Sequence, residues 1–273
     1  MSLVSFLNLF KDLLDILIGR ARKEEETPEQ LLPEQPTVVL ISGFVATRRA
    51  LAVMRKRLLR DGFNVVVWSL DWQTLSDGVS GFYRMAEKLS SVVLGLRKGK
   101  GIGLGQGGNP RAPVFIVAHS AGGLVARYYV QLLGGWHYCD ALITLGTPHQ
   151  GLWKAALGLL THLVFRARCL LQMLPISPFL KQLNTAPYPA GFRMISIYST
   201  GDHLCGKGAA QLPTELQITS GIQSLEIGQL SHGDFLWSKA GYEVLLHQLE
   251  LMTEPRPQPV KQEDTKPSPS GVA

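Results

Sequence analysis

The fold of this chain is decided by the stretch Val114-Phe115-Ile116-Val117-Ala118-His119-Ser120-Ala121-Gly122-Gly123-Leu124-Val125. An apolar run rich in β-branched residues stops at a serine, and a helix-like pattern begins immediately after it. The pattern predicts a buried strand, a sharp turn at Ser120 and a helix. A nucleophile at such a turn has a strained backbone and an exposed hydroxyl, so the residues two before and two after it must be small. Ala118 and Gly122 meet that requirement.

This arrangement resembles the nucleophile motif of the α/β-hydrolase family, specifically of its bacterial-type lipases and esterases. Their motif is G-x-S-x-G, and Ala118 stands here in place of the first glycine. The segment Gly146-Thr147-Pro148-His149-Gln150-Gly151 is similar to a T-P-H-x-G segment at the matching place in many bacterial lipases. The resemblance implies that His149 is structural, and it extends over about residues 37–252.

Strand-like and helix-like segments alternate along this body. Apolar runs that predict strands occupy residues 37–41, 64–68, 114–119, 140–145, 192–199 and 222–227. Helical patterns at 48–61, at 79–96 and after Ser120 separate them, and a closing helix is predicted at about 236–252. The alternation predicts an α/β protein with a mostly parallel central sheet and helices on both faces, which is the α/β-hydrolase fold.

Three further segments flank the body. Residues 1–23 place leucines and phenylalanines at helical spacing, which predicts an amphipathic helix. This helix docks on the body in one interpretation; in the other it lies in a membrane interface, with the basic run 20–23 at the headgroups. Residues 24–36 are acidic and proline-rich and are interpreted as a linker. Residues 253–273 are expected to be a disordered tail.

Residues 152–190 form a long apolar stretch that is rich in leucine and interrupted by four prolines. A crossover connection in an α/β core rarely needs so many residues. By resemblance to lipases we expect a helical cap, or lid, over the site, and its leucines suit an apolar acyl chain. Ordinary packing helices with a long connection are the alternative.

A serine nucleophile requires a base, and the base requires an acid that orients it. In the α/β-hydrolase fold these groups follow the chain order serine, acid, histidine, each in a loop at the carboxyl end of the sheet. Ser120, Asp202 and His232 satisfy this order and are predicted as the catalytic triad. His203 competes poorly as the base, because it adjoins Asp202 and the two side chains cannot easily converge on one serine. His119 is expected to point away from the site.

Two backbone N–H groups must stabilise the oxyanion of the reaction. One is expected from Ala121, directly after the nucleophile. The lipase pattern of His-Gly followed by the donor residue implies that the other comes from Phe44, in the turn Ser42-Gly43-Phe44. Ser42 replaces the histidine of that pattern, which leaves Val45 as the alternative donor. No metal-ligand motif such as HExxH occurs, so neither a metal nor another cofactor is expected.

Composition and charge limit the partners. Hydrophobic residues at 45% and charged residues at 18% are values typical of a globular protein. The net charge of +6 is concentrated on predicted helix ends and loops, which favours a solvated surface; weak attraction to anionic lipid is the alternative. Because no recognition motif accompanies the charge, nucleic acid is not expected as a partner.

The three cysteines indicate the compartment. Cys139, Cys169 and Cys205 are widely spaced and form no CxxC pair, so they are interpreted as reduced thiols. This predicts a cytoplasmic protein, with a peripheral position at a membrane surface as the alternative. Cys205 lies close to Asp202, and a redox or disulfide role with Cys169 is the alternative to a buried thiol.

Together, the residues and the resemblance predict a serine hydrolase of the esterase or lipase type. Its substrate is expected to be a carboxylic ester or lipid with an apolar acyl group, cleaved through an acyl-enzyme on Ser120. An acyltransferase or thioesterase with the same triad is one alternative. A non-catalytic member of the fold, which binds lipid or a protein through the N-terminal helix and cap, is the other.

Overall fold

The structure, a computed structural model, describes most of the predicted body. The described residues are 31–43, 48–70, 81–99, 111–153 and 168–253. The predicted N-terminal helix, the predicted tail beyond residue 253 and the middle of the predicted cap lie outside them.

Six strands form one sheet. They are β1 (Thr37–Ile41), β2 (Asn64–Trp68), β3 (Val114–His119), β4 (Ala141–Leu145), β5 (Arg193–Ser199) and β6 (Gln223–Ile227). Their order across the sheet is β2-β1-β3-β4-β5-β6, and every neighbouring pair is parallel. Strands β1, β3 and β4 are buried along their whole length, as expected where helices cover both faces of a parallel sheet.

The helices fill the connections between these strands. A 3-10 turn at Arg48–Leu51 leads into α1 (Ala52–Arg60), and a second one lies at Gly135–His137. The other helices of the described residues are α2 (Gly81–Arg97), α3 (Ala121–Leu132), α4 (Arg168–Gln172), α5 (Pro178–Thr185), α6 (Lys207–Ala210), α7 (Thr214–Ser220), α8 (Asp234–Trp237) and α9 (Lys239–Thr253). Within this part of the chain, no helix has the length and apolar character needed to cross a bilayer.

The sheet separates two apolar layers. Helices α2, α3 and α5 pack on one face, together with Val39 and Ile41 of β1. Helices α1, α8 and α9 pack on the other face, together with Val38 and Leu40. The alternation along β1 follows from the two-residue period of a strand. The predicted architecture, a parallel sheet with helices on both faces, is thereby confirmed.

Helix α5 lies within the stretch that the sequence predicts as a cap. Its residues Phe179, Leu180 and Leu183 are buried in the same core cluster as α3. This helix therefore packs against the body. Residues 154–167 lie outside the described residues, so a cap there stays a prediction.

A buried arginine connects the helix after Ser120 to α5. Nη2 of Arg127 donates to the carbonyl oxygen of Leu183 at 2.7 Å, and its Nη1 lies 3.5 Å from Nδ1 of His149. An arginine only donates hydrogen bonds, so Nδ1 of His149 is the acceptor. The proton of the neutral His149 ring is therefore on Nε2, which donates to Thr144 Oγ1 at 2.9 Å. Burial lowers the pKa of His149 well below its usual value, and the Arg127 charge lowers it further. His149 is therefore a neutral, structural residue.

The end of the predicted linker is attached to the body by Asn64. The side-chain amide of Asn64 donates to the carbonyl oxygens of Leu32 at 2.8 Å and Gln35 at 3.0 Å, and its Oδ1 accepts from the Leu32 N–H at 2.8 Å. Leu31 is buried in the core. Residues 31–36 are therefore part of the folded body.

The chain leaves β1 and β3 toward opposite edges of the sheet, because β2 lies beyond β1 and β4 lies beyond β3. Such a switch in direction opens a crevice at the carboxyl ends of the two strands. Ser42 and Gly43 follow β1 there, and Ser120 follows β3. The crevice therefore lies where the sequence places the nucleophile.

Helix α3 approaches β1 closely at this crevice. A Cβ on Gly122 would lie 2.3 Å from the backbone oxygen of Ser42 and 2.8 Å from Cγ2 of Ile41. A Cβ on Gly123 would lie 2.0 Å from Oγ1 of Thr147. Only glycine allows the start of the helix to pack at this distance.

We expect Gly122→Ala to lower the free energy of unfolding by about 1–3 kcal/mol, the usual cost of overpacking. The physical reason is that the added methyl group meets a backbone oxygen, which cannot move without moving β1. Gly208→Ala is the matched control, because a Cβ there meets nothing within 4 Å. Urea unfolding followed by circular dichroism measures both, and equal midpoints for Gly122→Ala and wild type would contradict the packing argument.

The buried His149 predicts a pH-dependent stability. Its folded-state pKa is below the unfolded value, so protonation favours the unfolded state, and stability falls as the pH drops below about 6.5 by up to ~1.4 kcal/mol per pH unit. His149→Gln should flatten that slope, measured by urea unfolding between pH 7.5 and 5. The exposed His137 supplies the control His137→Gln, whose slope should match wild type. Parallel curves for all three proteins would refute the assignment.

Candidate active site

Ser120 has a backbone conformation that L-residues rarely adopt. Its φ is 54° and its ψ is −132°, and it is the one non-glycine residue with positive φ in the described part of the chain. Such strain costs of order 1–3 kcal/mol and persists only where surrounding contacts hold it. The Ser120 N–H donates to the carbonyl oxygen of Leu145 at 2.9 Å, and its own carbonyl oxygen accepts from Thr147 Oγ1 at 2.8 Å. The sharp turn predicted from the sequence is present.

The hydroxyl of Ser120 contacts the imidazole of His232. Oγ of Ser120 lies 2.9 Å from Nε2 of His232, although 112 residues separate them. His232 is fully buried, whereas Ser120 is partly exposed. With Nε2 unprotonated, the ring accepts the serine proton in this geometry.

The other ring nitrogen of His232 contacts Asp202. Nδ1 lies 2.7 Å from Oδ2, and Oδ1 of the same carboxylate accepts from the N–H groups of Leu204 at 2.9 Å and Cys205 at 2.7 Å. Burial alone would raise the pKa of Asp202. The opposing effects of His232 and the two N–H donors outweigh burial, so the pKa lies below its usual value. An ionised Asp202 therefore keeps the Nδ1–H of His232 oriented toward itself.

The sheet brings these three groups together. Ser120 follows β3 directly, Asp202 lies three residues after β5, and His232 lies five residues after β6. Because all strands are parallel, their carboxyl ends meet at one edge. A short contact across 112 residues is thus a result of topology.

Two further candidates, His203 for the base and Asp234 for the orienting acid, lie in other positions. His203 is exposed, whereas Asp202 beside it is buried. Oδ2 of Asp234 accepts from the Ser231 N–H at 2.9 Å, so this carboxylate stabilises the turn that contains His232. Neither residue replaces a member of the Ser120, His232 and Asp202 arrangement.

The expected oxyanion donors are described only in part. Ala121 is the first residue of α3, where a helix leaves its N–H groups without intrahelical acceptors. A Cβ on Gly43 would lie 2.8 Å from Cβ of Ser120, so the turn after β1 passes directly beside the nucleophile. Phe44 and Val45 lie outside the described residues. Ser42, which stands where lipases have histidine, accepts from the Leu70 N–H through Oγ at 3.3 Å.

His119 does not point away from the site, contrary to the prediction. Its Nε2–H donates to the backbone oxygen of His232 at 2.9 Å, and the two imidazole rings lie 4.6 Å apart. Burial lowers the pKa of His119 to about 3, and the nearby His232 adds to this effect, so the ring is neutral. The sequence does contain a signal for this role, because His119 is a polar residue at the last position of an apolar strand, directly before Ser120.

Cys205, which the sequence places close to Asp202, also approaches His232 in the structure. Its Sγ, a carboxylate oxygen of Asp202 and a ring nitrogen of His232 lie within 4.8 Å of one another. These are atom types that bind zinc. The three residues escape motif recognition because the fold, and not a regular spacing, brings them together.

Comparison with known proteins shows that part of this chain matches a protein family. Residues 34–170 match the family described as "Putative serine esterase (DUF676)". That match spans half of the chain and includes Ser120, but it ends before Asp202 and His232. No curated protein sequence matches the chain significantly.

Solved structures share the fold at low sequence identity. The mature lipase BlEst2 of Bacillus licheniformis aligns with a TM-score of 0.58 and 18% identity, over 84% of this chain and 96% of that one. A structure from a study of carboxylesterases of the thaumarchaeon Nitrososphaera gargenis gives 0.56 and 15%, over 80% and 91%. The α/β-hydrolase enzyme MGS-MChE2, from a lagoon-sediment metagenome, gives 0.53 and 16%, over 83% and 96%.

The chain has the α/β-hydrolase fold, and it belongs to the serine esterase family that residues 34–170 match.

Proposed function

We propose that this serine esterase cleaves carboxylic esters through an acyl-enzyme on Ser120, with His232 as the base and Asp202 as the group that orients it. The observation that carries the proposal is the continuous chain of contacts from Ser120 Oγ to His232 Nε2 at 2.9 Å and from His232 Nδ1 to Asp202 Oδ2 at 2.7 Å. His232 and Asp202 are both buried, so water does not compete for the hydrogen bond between them.

The reaction follows from these positions. His232 takes the proton of Ser120 as Oγ attacks the ester carbonyl, and the ionised Asp202 stabilises the imidazolium that forms. His232 then gives this proton to the leaving alcohol, and the acyl group remains on Ser120. In the second half, His232 activates a water molecule that releases the acid.

We assign stabilisation of the oxyanion to the N–H groups of Ala121 and Phe44. The place of Ala121 at the start of α3 supports the first, because a free N–H and the positive end of the helix dipole both favour an anion. The close approach of Gly43 to Ser120 supports the second, because Phe44 is the next residue in the chain. Donors of this kind contribute about 3–4 kcal/mol each to transition-state stabilisation.

We propose an ester or lipid with an apolar acyl group as the substrate. Gly151 and the two residues after it leave the carboxyl end of β4 and run beside the segment after α4, where the Leu152 N–H donates to the Met173 oxygen at 2.8 Å. Trp153 and Ile176 extend from these neighbouring segments with 64% and 75% of their surface exposed. The leucine-rich residues 154–167 connect to the same place.

We further propose a cytoplasmic protein that contacts membranes peripherally through residues 1–23. The support is the amphipathic pattern of those residues with the basic run 20–23 after it. The three cysteines are buried and form no disulfide, which fits a reducing compartment.

The proposed roles of the three residues predict how much each substitution lowers kcat. Ser120→Ala and His232→Gln should each lower kcat for a short p-nitrophenyl ester by roughly 10⁴-fold or more, and Asp202→Asn by about 10⁴-fold. His203→Gln is the matched control, since this exposed histidine adjoins Asp202, and it should retain wild-type turnover. A p-nitrophenyl series from acetate to palmitate, measured as kcat/KM, should favour the longer chains.

A fluorophosphonate probe provides the control for intact folding. It should label wild type and the His203→Gln variant on Ser120 and leave Ser120→Ala unlabelled. Turnover in Ser120→Ala equal to wild type would eliminate the proposed nucleophile. Product that forms only when a second alcohol is added would indicate the acyltransferase alternative.

The membrane proposal predicts that full-length protein floats with vesicles containing anionic lipid, because the amphipathic helix buries its apolar face and the basic run meets the headgroups. A variant lacking residues 1–30 should stay at the bottom of the gradient, and should move from the membrane to the cytosolic fraction of cells. Equal flotation of the two proteins, or of neither, would count against the proposal.

A further inference from the structure

The thiol of Cys205 is placed beside the two residues that act on Ser120. The cluster consists of Cys205 Sγ, a carboxylate oxygen of Asp202 and a ring nitrogen of His232, all within 4.8 Å of one another. Each of the three residues is at least 98% buried. Within the described residues this is the one group of three histidine, cysteine or acidic side chains that meets such a distance.

We propose that Cys205, Asp202 and His232 form an inhibitory Zn²⁺ site that overlaps the catalytic groups. Thiolate, carboxylate and imidazole are the three ligand types of protein zinc sites, with bonds of about 2.0–2.3 Å. Two atoms bound to one tetrahedral ion are therefore ~3.3–3.6 Å apart, and closing this cluster from separations of up to 4.8 Å needs side-chain shifts of about 1 Å. Three protein ligands with water in the fourth position is an established zinc geometry.

Charge balance favours zinc in this interior. The thiol of Cys205 releases its proton to solvent when Zn²⁺ binds, and Asp202 binds as the carboxylate. One divalent cation with one thiolate, one carboxylate and one neutral imidazole has no net charge. A neutral cluster avoids the large cost of an unpaired buried charge.

Gly146 lies against two of the proposed ligand atoms. A Cβ on this residue would lie 2.9 Å from Oδ2 of Asp202 and 3.2 Å from Nδ1 of His232. These distances are shorter than a side chain tolerates, so a residue other than glycine would collide with both ligand atoms. Oδ1 of Asp202 is occupied by two backbone N–H donors, so Oδ2 is the oxygen available to the metal.

Zinc bound to either ring nitrogen of His232 prevents the imidazole from acting as the base. If the ion binds Nδ1, the single proton of the neutral imidazole moves to Nε2, which then cannot accept the proton of Ser120. If the ion binds Nε2, the lone pair that faces Ser120 is used for the metal bond. Both cases leave Ser120 a protonated alcohol, which is a weak nucleophile.

Zinc inhibition rests on the proposed function, whereas zinc binding does not. The activity experiment titrates Zn²⁺ into full-length, chelator-treated protein in a buffer without metal ligands, and expresses each rate relative to the zinc-free rate of the same variant. Wild type should be inhibited and then restored by EDTA. Cys205→Ser keeps the backbone N–H to Asp202, and should raise the half-inhibitory concentration by ~100-fold or more, since even an outer-shell change costs about 10–100-fold in metal affinity.

Cys139→Ser is the matched control, because it removes a second buried thiol that bonds the Gly135 oxygen far from the cluster in sequence. It should be inhibited at the wild-type zinc concentration. Cys205→Ala is a second variant in case serine disturbs the buried site, and circular dichroism verifies that each protein is folded. Equal zinc sensitivity of wild type and both Cys205 variants would overturn the proposal.

The binding experiment uses Co²⁺, whose bond to a thiolate gives a charge-transfer band in the near ultraviolet. Wild type, Cys139→Ser and Ser120→Ala should all show the band, and both Cys205 variants should lack it. A band in Ser120→Ala supports the site even if the wild type has no serine-dependent esterase activity, which would overturn only the proposed function. Absence of the band in wild type would overturn the metal site.

Discussion

The active-site geometry depends on the backbone of Ser120, which surrounding contacts hold at a φ of 54°, a value that L-residues rarely adopt. Strand β4 holds it through the Leu145 carbonyl oxygen, and the turn after β4 holds it through Thr147. Both contacts require the register in which β3 and β4 are neighbours. The strained turn is therefore maintained by long-range pairing, and its local sequence supplies only small residues that permit it.

The parallel sheet also determines the electrostatics of the site. Asp202 and His232 arrive from loops after β5 and β6 and are buried where they meet. Two N–H donors from the loop of Asp202 fix the carboxylate independently of the histidine. In such an interior the carboxylate and the imidazole interact without competing water, which strengthens the hydrogen bond between them.

The sequence predicts the strands well because their signal is local. All but β6, which is Gln-Ser-Leu-Glu-Ile, are rich in apolar residues, and the sheet retains the predicted bounds to within a residue. The order of Ser120, Asp202 and His232 along the chain was informative because the α/β-hydrolase topology turns that order into proximity. His119 could not be placed in this way, since it meets His232 from a distant part of the chain. Apolar composition does not distinguish a packed helix from a cover, so the cap over residues 152–190 stays a prediction.

The bond from His119 to the backbone oxygen of His232 has a consequence for how the loop after β6 can vary. The base is positioned from the strand that precedes the nucleophile, and not solely by the path of its own loop. A change between Ile227 and His232 must therefore preserve the carbonyl oxygen that reaches His119 and also the bond from the Leu230 N–H to Ser199 Oγ at 2.8 Å. His119 and Ser199 are the last residues of β3 and β5, so the reference points for the imidazole are at the carboxyl edge of the sheet.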